Sequence, residues 1–149
     1  MTIREWLACA LTLVVAAPPL PAQVDSMVRL RIHAERSDAI ERTMRAFVDH
    51  GLTVTEVERA GLVKAVGHEK GDVRVTYTAA VLPDVANASI TVITLSAFAR
   101  YQPAGEAVNP LGAQVTTKTK GGAGVWARLQ SIAKTLRTAP PSKPATPQR

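Results

Sequence analysis

Apolar and polar residues alternate strictly along MVRLRIHA, residues 27–34. This alternation predicts a half-buried β-strand, because successive side chains of a strand point to opposite faces. The apolar side would face the core, and the other side would carry Arg29, Arg31 and His33. These basic side chains are the first candidates for a binding surface.

A helical period follows in SDAIERTMRAFVDHG, residues 37–51. It predicts an amphipathic helix over about residues 38–50. The apolar residues on its predicted buried face are Ile40, Met44, Phe47 and Val48. Ser37 or Asp38 is expected to cap its N-terminus, and Gly51 is expected to end it in a left-handed conformation.

Further alternations predict an antiparallel run of strands after this helix. LTVTEVE and LVKAV indicate two short strands separated by residues 59–61, and GHEKGD indicates a turn because two glycines flank three polar residues. VRVTYTAAV is expected to pair with the preceding strand as a hairpin. SITVITLSAFARY is apolar on both faces, which is typical of a central strand covered on both sides or of one whose outer face meets a loop.

Residues 102–123 leave two interpretations open. A structureless loop longer than about 15 residues is uncommon inside a compact domain. Either AQVTTKT forms an edge strand or the segment is a mobile functional flap. The following VWARLQSIAKTLR predicts a second amphipathic helix, whose apolar residues are Val125, Leu129, Ile132 and Leu136.

The predicted order of elements is β-α-β-β-β-(β)-α. Each helix offers one apolar stripe and the sheet offers one apolar face, so both helices are expected on the same side of the sheet. We therefore predict an α+β fold, a two-layer sandwich of an antiparallel sheet with two helices on one face.

The two ends of the chain differ in composition from its interior. Residues 1–22 place Arg4 ahead of the apolar run WLACALTLVVAA, which is the layout of a secretory signal peptide. The run is shorter than the roughly 18 apolar residues that a membrane span needs, so no transmembrane span is expected after cleavage. Residues 23–138 are expected to form a single α+β domain, and the Pro-rich basic residues 139–149 a disordered tail. The protein is expected to be periplasmic or secreted.

Composition narrows the possible chemistry. The only cysteine, Cys9, lies in the leader, so the mature domain has neither a disulfide nor a thiolate nucleophile. Arg4 and Glu5 cancel, so the net charge of +6 persists after cleavage, which favours an anionic envelope component or an envelope protein as partner. A second basic group toward the C-terminus comprises Lys118, Lys120, Arg128, Lys134 and Arg137. An aromatic content of 4% argues against a base-stacking surface, and no nucleic acid is expected as a partner.

The sequence offers little for catalysis. Glu56 and Glu58 would share a strand face like an acid and base pair, but nothing buries them, so they are interpreted as a solvated edge. His33, His50 and His68 lack the spacing of a metal site, and His68–Glu69 is interpreted as a surface pair in a turn. Serine-nucleophile, phosphate-loop and dinucleotide motifs are absent. We predict no metal, no cofactor and no enzymatic activity.

The stretch SDAIERTMRAFVDHGLTVTEVERAGLVKA, together with the helix VWARLQSIAKTL, resembles small bacterial envelope domains with a helix-grip arrangement, including those of the barrel-assembly lipoprotein BamC. The resemblance covers roughly residues 27–137 and rests on packing positions and turn residues. The chain departs from that family in lacking a usable lipid-acceptor cysteine and in carrying the insertion PAGEAVNPLGAQVTTKTKGGAG. The resemblance implies a non-catalytic envelope role and carries over no active-site residue.

We therefore expect a non-enzymatic secreted or periplasmic binding domain, or an accessory domain of envelope assembly. The candidate anion or partner face comprises Arg29, Arg31 and His33, joined by Arg74 if that face is shared across the sheet. The alternative is a carrier that holds a small apolar ligand between helices and sheet. A carrier would need a cavity of a few hundred cubic ångströms.

Overall fold

The computed structural model describes residues 26–69, 73–101, 112–116, 119 and 122–140. The signal peptide predicted at residues 1–22 lies outside this part of the chain, as does nearly all of the tail predicted at residues 139–149. The described residues cover most of the domain predicted at residues 23–138.

The described residues form an antiparallel sheet and two helices. In chain order the elements are β1 (Met27–His33), α1 (Arg36–Asp49), β2 (Thr53–Val57), β3 (Leu62–Glu69), β4 (Val73–Pro83), β5 (Ile90–Tyr101), β6 (Ala113–Gln114) and α2 (Ala123–Thr138). The sheet order is β1-β5-β4-β3-β2, and β6 pairs with β5. Helix α1 packs over β2, β3 and β4, while α2 packs beside it over β1 and β5. The predicted α+β two-layer sandwich is confirmed.

The core lies between the helices and one face of the sheet. Strand β4 shows how the alternation places it, since Val75, Tyr77, Ala79 and Val81 are fully buried while the residues between them are exposed or half-buried. The helices contribute Phe47, Leu129, Ile132 and Leu136, each at most 1% exposed. Burying side chains of this size stabilises the fold by about 1.5–3 kcal/mol each before entropy is counted.

Helix α1 differs from its prediction at its start and in its buried face. It begins at Arg36, and its N-cap residue Glu35 makes no side-chain capping bond, so neither Ser37 nor Asp38 is the cap. The fully buried side chains include Ala39, Thr43, Ala46 and Phe47. Val48 is 59% exposed, so its predicted burial is wrong. The small side chains of Ala39, Thr43 and Ala46 allow this face of α1 to pack closely against its neighbours. The buried face is therefore centred on these residues, and Val48 lies outside it.

The ends of α1 and α2 are joined by polar contacts. Gly51 has φ +72°, which confirms the left-handed helix end. His50, the preceding residue, lies with Nε2 3.0 Å from Oγ1 of Thr135 on α2. The predicted apolar residues of α2 are all buried.

Strand β3 runs beyond its predicted end. It continues to Glu69, so a turn beginning at Gly67 is wrong. Gly67 lies inside the strand, where an added Cβ atom would lie 2.6 Å from Cδ2 of Leu52 and would require the Leu52 side chain to shift. His68 and Glu69 consequently point to opposite faces of the sheet, and the predicted surface pair between them is not formed.

The predictions for the last strands are confirmed in outline. Strand β5 is central, between β1 and β4. Gln114 and Ala113 pair with Phe98 and Ala99, which supports the edge-strand interpretation of AQVTTKT over these residues. Residues 102–111 lie outside the described part of the chain.

Candidate anion-binding face

The side of the sheet away from α1 and α2, here called the outer face, carries the basic residues singled out in the sequence. It consists of alternate residues within 27–33, 62–68, 74–82 and 90–100. None of the described helices packs on this side, and its side chains are exposed or half-buried. The predicted exposure of Arg29, Arg31 and His33 on β1 is therefore confirmed.

Arg31 and Arg29 lie side by side on β1 but differ in their charge environment. Arg31 forms an ion pair with Asp84, whose side chain is 11% exposed. The backbone amide of Ala86 and the Arg31 guanidinium together lower the pKa of Asp84 below its usual value. Asp84 therefore balances the charge of Arg31, whereas Arg29 has no ion pair with any carboxylate in the described part of the chain.

Three basic residues form a row across β3, β4 and β5 at the other end of the outer face. His68 pairs in register with Arg74, and Arg74 pairs with Arg100. Like charges placed directly opposite one another on a sheet repel. Neither arginine has an ion pair among the described residues. This basic row has the arrangement expected of a surface that gains stability when an anion binds.

Arg74 shares the outer face with the β1 arginines but does not cluster with them. Arg31 lies opposite Val92, whereas Arg74 lies opposite Arg100 on the same strand β5. Eight residues of strand separate these two positions, a distance of roughly 26 Å. The expected single patch of Arg29, Arg31, His33 and Arg74 is instead two basic regions at opposite ends of one face.

Glu56 and Glu58 were candidates for an acid and base pair. Glu56 forms an ion pair with Lys64 on the neighbouring strand, with Oε2 2.6 Å from Nζ. The hydrogen bond from Lys64 is the main cause of the lowered pKa of Glu56. A general acid at neutral pH needs a raised pKa, so the environment of Glu56 suits a surface ion pair.

A polar cluster that the sequence did not indicate lies on the helix side of the sheet. The Tyr77 hydroxyl donates a hydrogen bond to Oε1 of Glu69 at 3.2 Å, and Arg128 of α2 reaches the same oxygen at 2.8 Å. The sequence grouped Arg128 with the C-terminal basic residues, but its ion pair with Glu69 connects α2 to β3. The exposed residues Lys134 and Arg137 lie further along α2, and Lys118 and Lys120 lie outside the described residues.

Tyr77 should make the stability of the fold sensitive to alkali. Burial raises its pKa to about 12, so the unfolded chain releases this proton near pH 10 while the folded chain keeps it. The free energy of unfolding should fall between about pH 10 and 12, by up to about 2 kcal/mol. Urea unfolding at several alkaline pH values measures this loss.

A pair of tyrosine variants isolates the contribution of Tyr77. Tyr77→Phe should show a shallower alkaline loss, whereas Tyr101→Phe, which removes the chain's other tyrosine, should keep the steep one. The lysines titrate in the same range in all three proteins, so the difference between their slopes is the informative quantity. Equal slopes for the two variants would show that Tyr77 is not shielded from water.

The described residues contain neither a cluster of metal ligands nor a helix that could span a membrane. They contain no group of three or more His, Cys, Asp or Glu side chains that could hold a metal ion. Neither α1 nor α2 is long and apolar enough to cross a membrane. No protein-family model and no curated protein matches the chain.

Proposed function

We propose that the chain is a non-enzymatic secreted or periplasmic binding domain whose outer face meets an anionic component of the cell envelope. One observation carries the proposal: Arg29, Arg74 and Arg100 lie on this face without an ion pair to any described carboxylate. Two of the carboxylates beside the face already have a cationic partner, since Glu56 pairs with Lys64 and Asp84 pairs with Arg31. The face therefore has an excess of positive charge.

The distance between these arginines limits which anionic partners can contact all of them. A single exposed ion pair contributes well under about 1 kcal/mol in salt, so useful affinity requires several contacts at once. Arg29 lies opposite Thr94, six residues of β5 away from Arg100, which is a distance of roughly 20 Å. A partner that engages both must present several negative charges over that distance, as an envelope surface does.

The envelope location rests on the sequence. The leader at residues 1–22 has the layout of a signal peptide, and the resemblance to helix-grip envelope domains favours the same compartment. A non-catalytic role is supported by the carboxylates Glu56, Glu69 and Asp84, since each is paired with a cation. Assistance to envelope assembly is one form that such binding could take.

The carrier alternative has less support. A ligand held between helices and sheet would need open space there. At Gly67 an added Cβ would meet Leu52 at 2.6 Å, and at Gly122 it would meet Val115 at 3.0 Å. Both positions border the core and are closely packed, so we favour the outer face as the binding surface.

Retention on envelope material tests the proposal. Changing Arg29, Arg74 and Arg100 to glutamine should lower retention of the mature chain on bacterial envelope fractions at low salt by tenfold or more, because about 1 kcal/mol is lost per arginine at an anionic surface. Arg31 is left unchanged because its substitution would also break the ion pair with Asp84. Bound and free protein are separated by sedimentation and quantified.

A matched variant controls for net charge. Arg45, Lys134 and Arg137 are exposed on the helix side of the molecule, and their change to glutamine removes the same three charges. The only ion pair lost among the described residues is the exposed pair of Arg45 with Glu41, which contributes little stability. This control should be retained like the unmodified chain. Equal retention of both triple variants would refute a role for the outer face, and thermal melting confirms that each variant is folded.

A further inference from the structure

The outer face also exposes large apolar side chains. Met27 and Leu82 are each 53% exposed, and Phe98 is 40% exposed. They occupy alternate outer-face positions of β1, β4 and β5. Together they make apolar surface available on the same side of the sheet as the unpaired arginines.

Met27 and Phe98 each have an arginine as a close neighbour on the outer face, and Leu82 is separated from one by a single strand. Met27 precedes Arg29 by two residues of β1, and Phe98 precedes Arg100 by two residues of β5. Leu82 lies opposite Val92, which in turn lies opposite Arg31. Residues two apart on a strand point to the same face, so apolar and cationic side chains recur together at both ends of the sheet.

This combination distinguishes between anionic partners. A soluble polyanion would use the arginines and leave Met27, Leu82 and Phe98 in water. The interface of an anionic bilayer uses both kinds of side chain, because apolar groups enter the boundary of the acyl chains while arginines contact the phosphates. Hydroxyl groups of Thr76, Thr78 and Thr94, which lie between the two ends, can hydrogen-bond to head groups.

We propose that the outer face docks on the surface of an anionic phospholipid bilayer, with Arg29, Arg74 and Arg100 on lipid phosphates and Leu82 and Phe98 in the interfacial region. This inference rests on the proposed function and names the chemistry of its partner. The protein lies on the membrane surface in this arrangement, and α1 and α2 face away from the lipid.

Vesicle sedimentation with defined lipids tests the docking. The mature chain should bind vesicles of phosphatidylcholine mixed with phosphatidylglycerol and should not bind phosphatidylcholine alone. The triple glutamine variant at Arg29, Arg74 and Arg100 should bind the mixed vesicles about a hundredfold more weakly, since each arginine contributes about fivefold. Binding to soluble polyphosphate is measured in parallel.

The apolar contribution has its own matched pair of variants. Leu82→Ser should weaken binding to the mixed vesicles about fivefold and leave polyphosphate binding unchanged. Val48→Ser is the control, because Val48 is 59% exposed but lies on α1, on the other side of the molecule. Its vesicle binding should match that of the unmodified chain.

The outcomes separate this inference from the proposed function. If arginine loss weakens both vesicle and polyphosphate binding while Leu82→Ser has no effect, the partner is a soluble polyanion and the bilayer inference is overturned. The proposed function survives that result. If the chain binds neither vesicles nor polyphosphate, and the triple glutamine variant is retained normally on envelope fractions, both are overturned.

Discussion

Replacing Gly61 with alanine is expected to lower the free energy of unfolding by about 3 kcal/mol. Gly61 ends the turn between β2 and β3 with φ +92°, a conformation that strains residues with a side chain. An added Cβ would also lie 2.1 Å from the carbonyl oxygen of Val81. Because the Val81 amide donates to the Gly61 carbonyl at 2.7 Å, relief of that clash would disturb the contact between this turn and β4.

Gly51→Ala is the natural control for this prediction. Gly51 also has a positive φ, +72°, but a Cβ there would meet no atom within 4 Å. Its substitution should cost only the conformational strain, about 1 kcal/mol. Urea unfolding followed by circular dichroism gives both values, and the prediction fails if the two variants lose the same stability.

The second large effect concerns the buried arginine of α1. Arg42 is 7% exposed and forms an ion pair with Asp38, one helical turn earlier. It also donates to the carbonyl of Ala139 after α2, while its Nε finds no acceptor among the described residues. Asp38→Asn should destabilise the fold by about 2 kcal/mol, because the guanidinium would remain buried without its counter-charge.

The same helix supplies an exposed pair as a comparison. Glu41 and Arg45 have the same spacing, but their side chains are 52% and 63% exposed. Glu41→Gln should therefore cost less than about 0.5 kcal/mol. Chemical unfolding of both variants measures the difference. A Glu41 effect as large as that of Asp38 would show that burial does not govern the strength of these pairs.

Periodicity predicted those elements in which the burial of one face alone determines where the apolar residues lie. Alternation identified β1 and β4, and the helical period identified α2, because burial of one face determines all three. The buried face of α1 could not be predicted from the spacing of its apolar residues. The buried surface of α1 includes Thr43, whose hydroxyl group donates to the carbonyl of Ala39 one turn earlier. It also includes Arg42, which donates to the carbonyl of Ala139 after α2, a contact that only the folded chain makes.

The candidate site could be predicted only in part. The exposure of Arg29, Arg31 and His33 follows from local alternation, whereas the pairing of Arg74 with His68 and Arg100 depends on strand register. Turn residues misled the prediction here, because Gly67 marks close packing against Leu52 inside β3. The cluster of Tyr77, Glu69 and Arg128 joins the β3–β4 hairpin to α2, which lies much later in the sequence, so no local pattern predicts the contact of Arg128.

The position of β1 has a consequence for the order of folding. Its residues pair with β5, with Met27 opposite Ser96, so the first strand of the sheet finds its neighbour only after nearly the whole domain has been synthesised. Joining such distant segments costs chain entropy and places folding toward the slow end for domains of this size. A hairpin of β3 and β4 can form locally, and β1 closes the edge of the sheet late. This late pairing of β1 would suit the secreted or periplasmic location that we propose, since a chain must still be extended when it is threaded across a membrane.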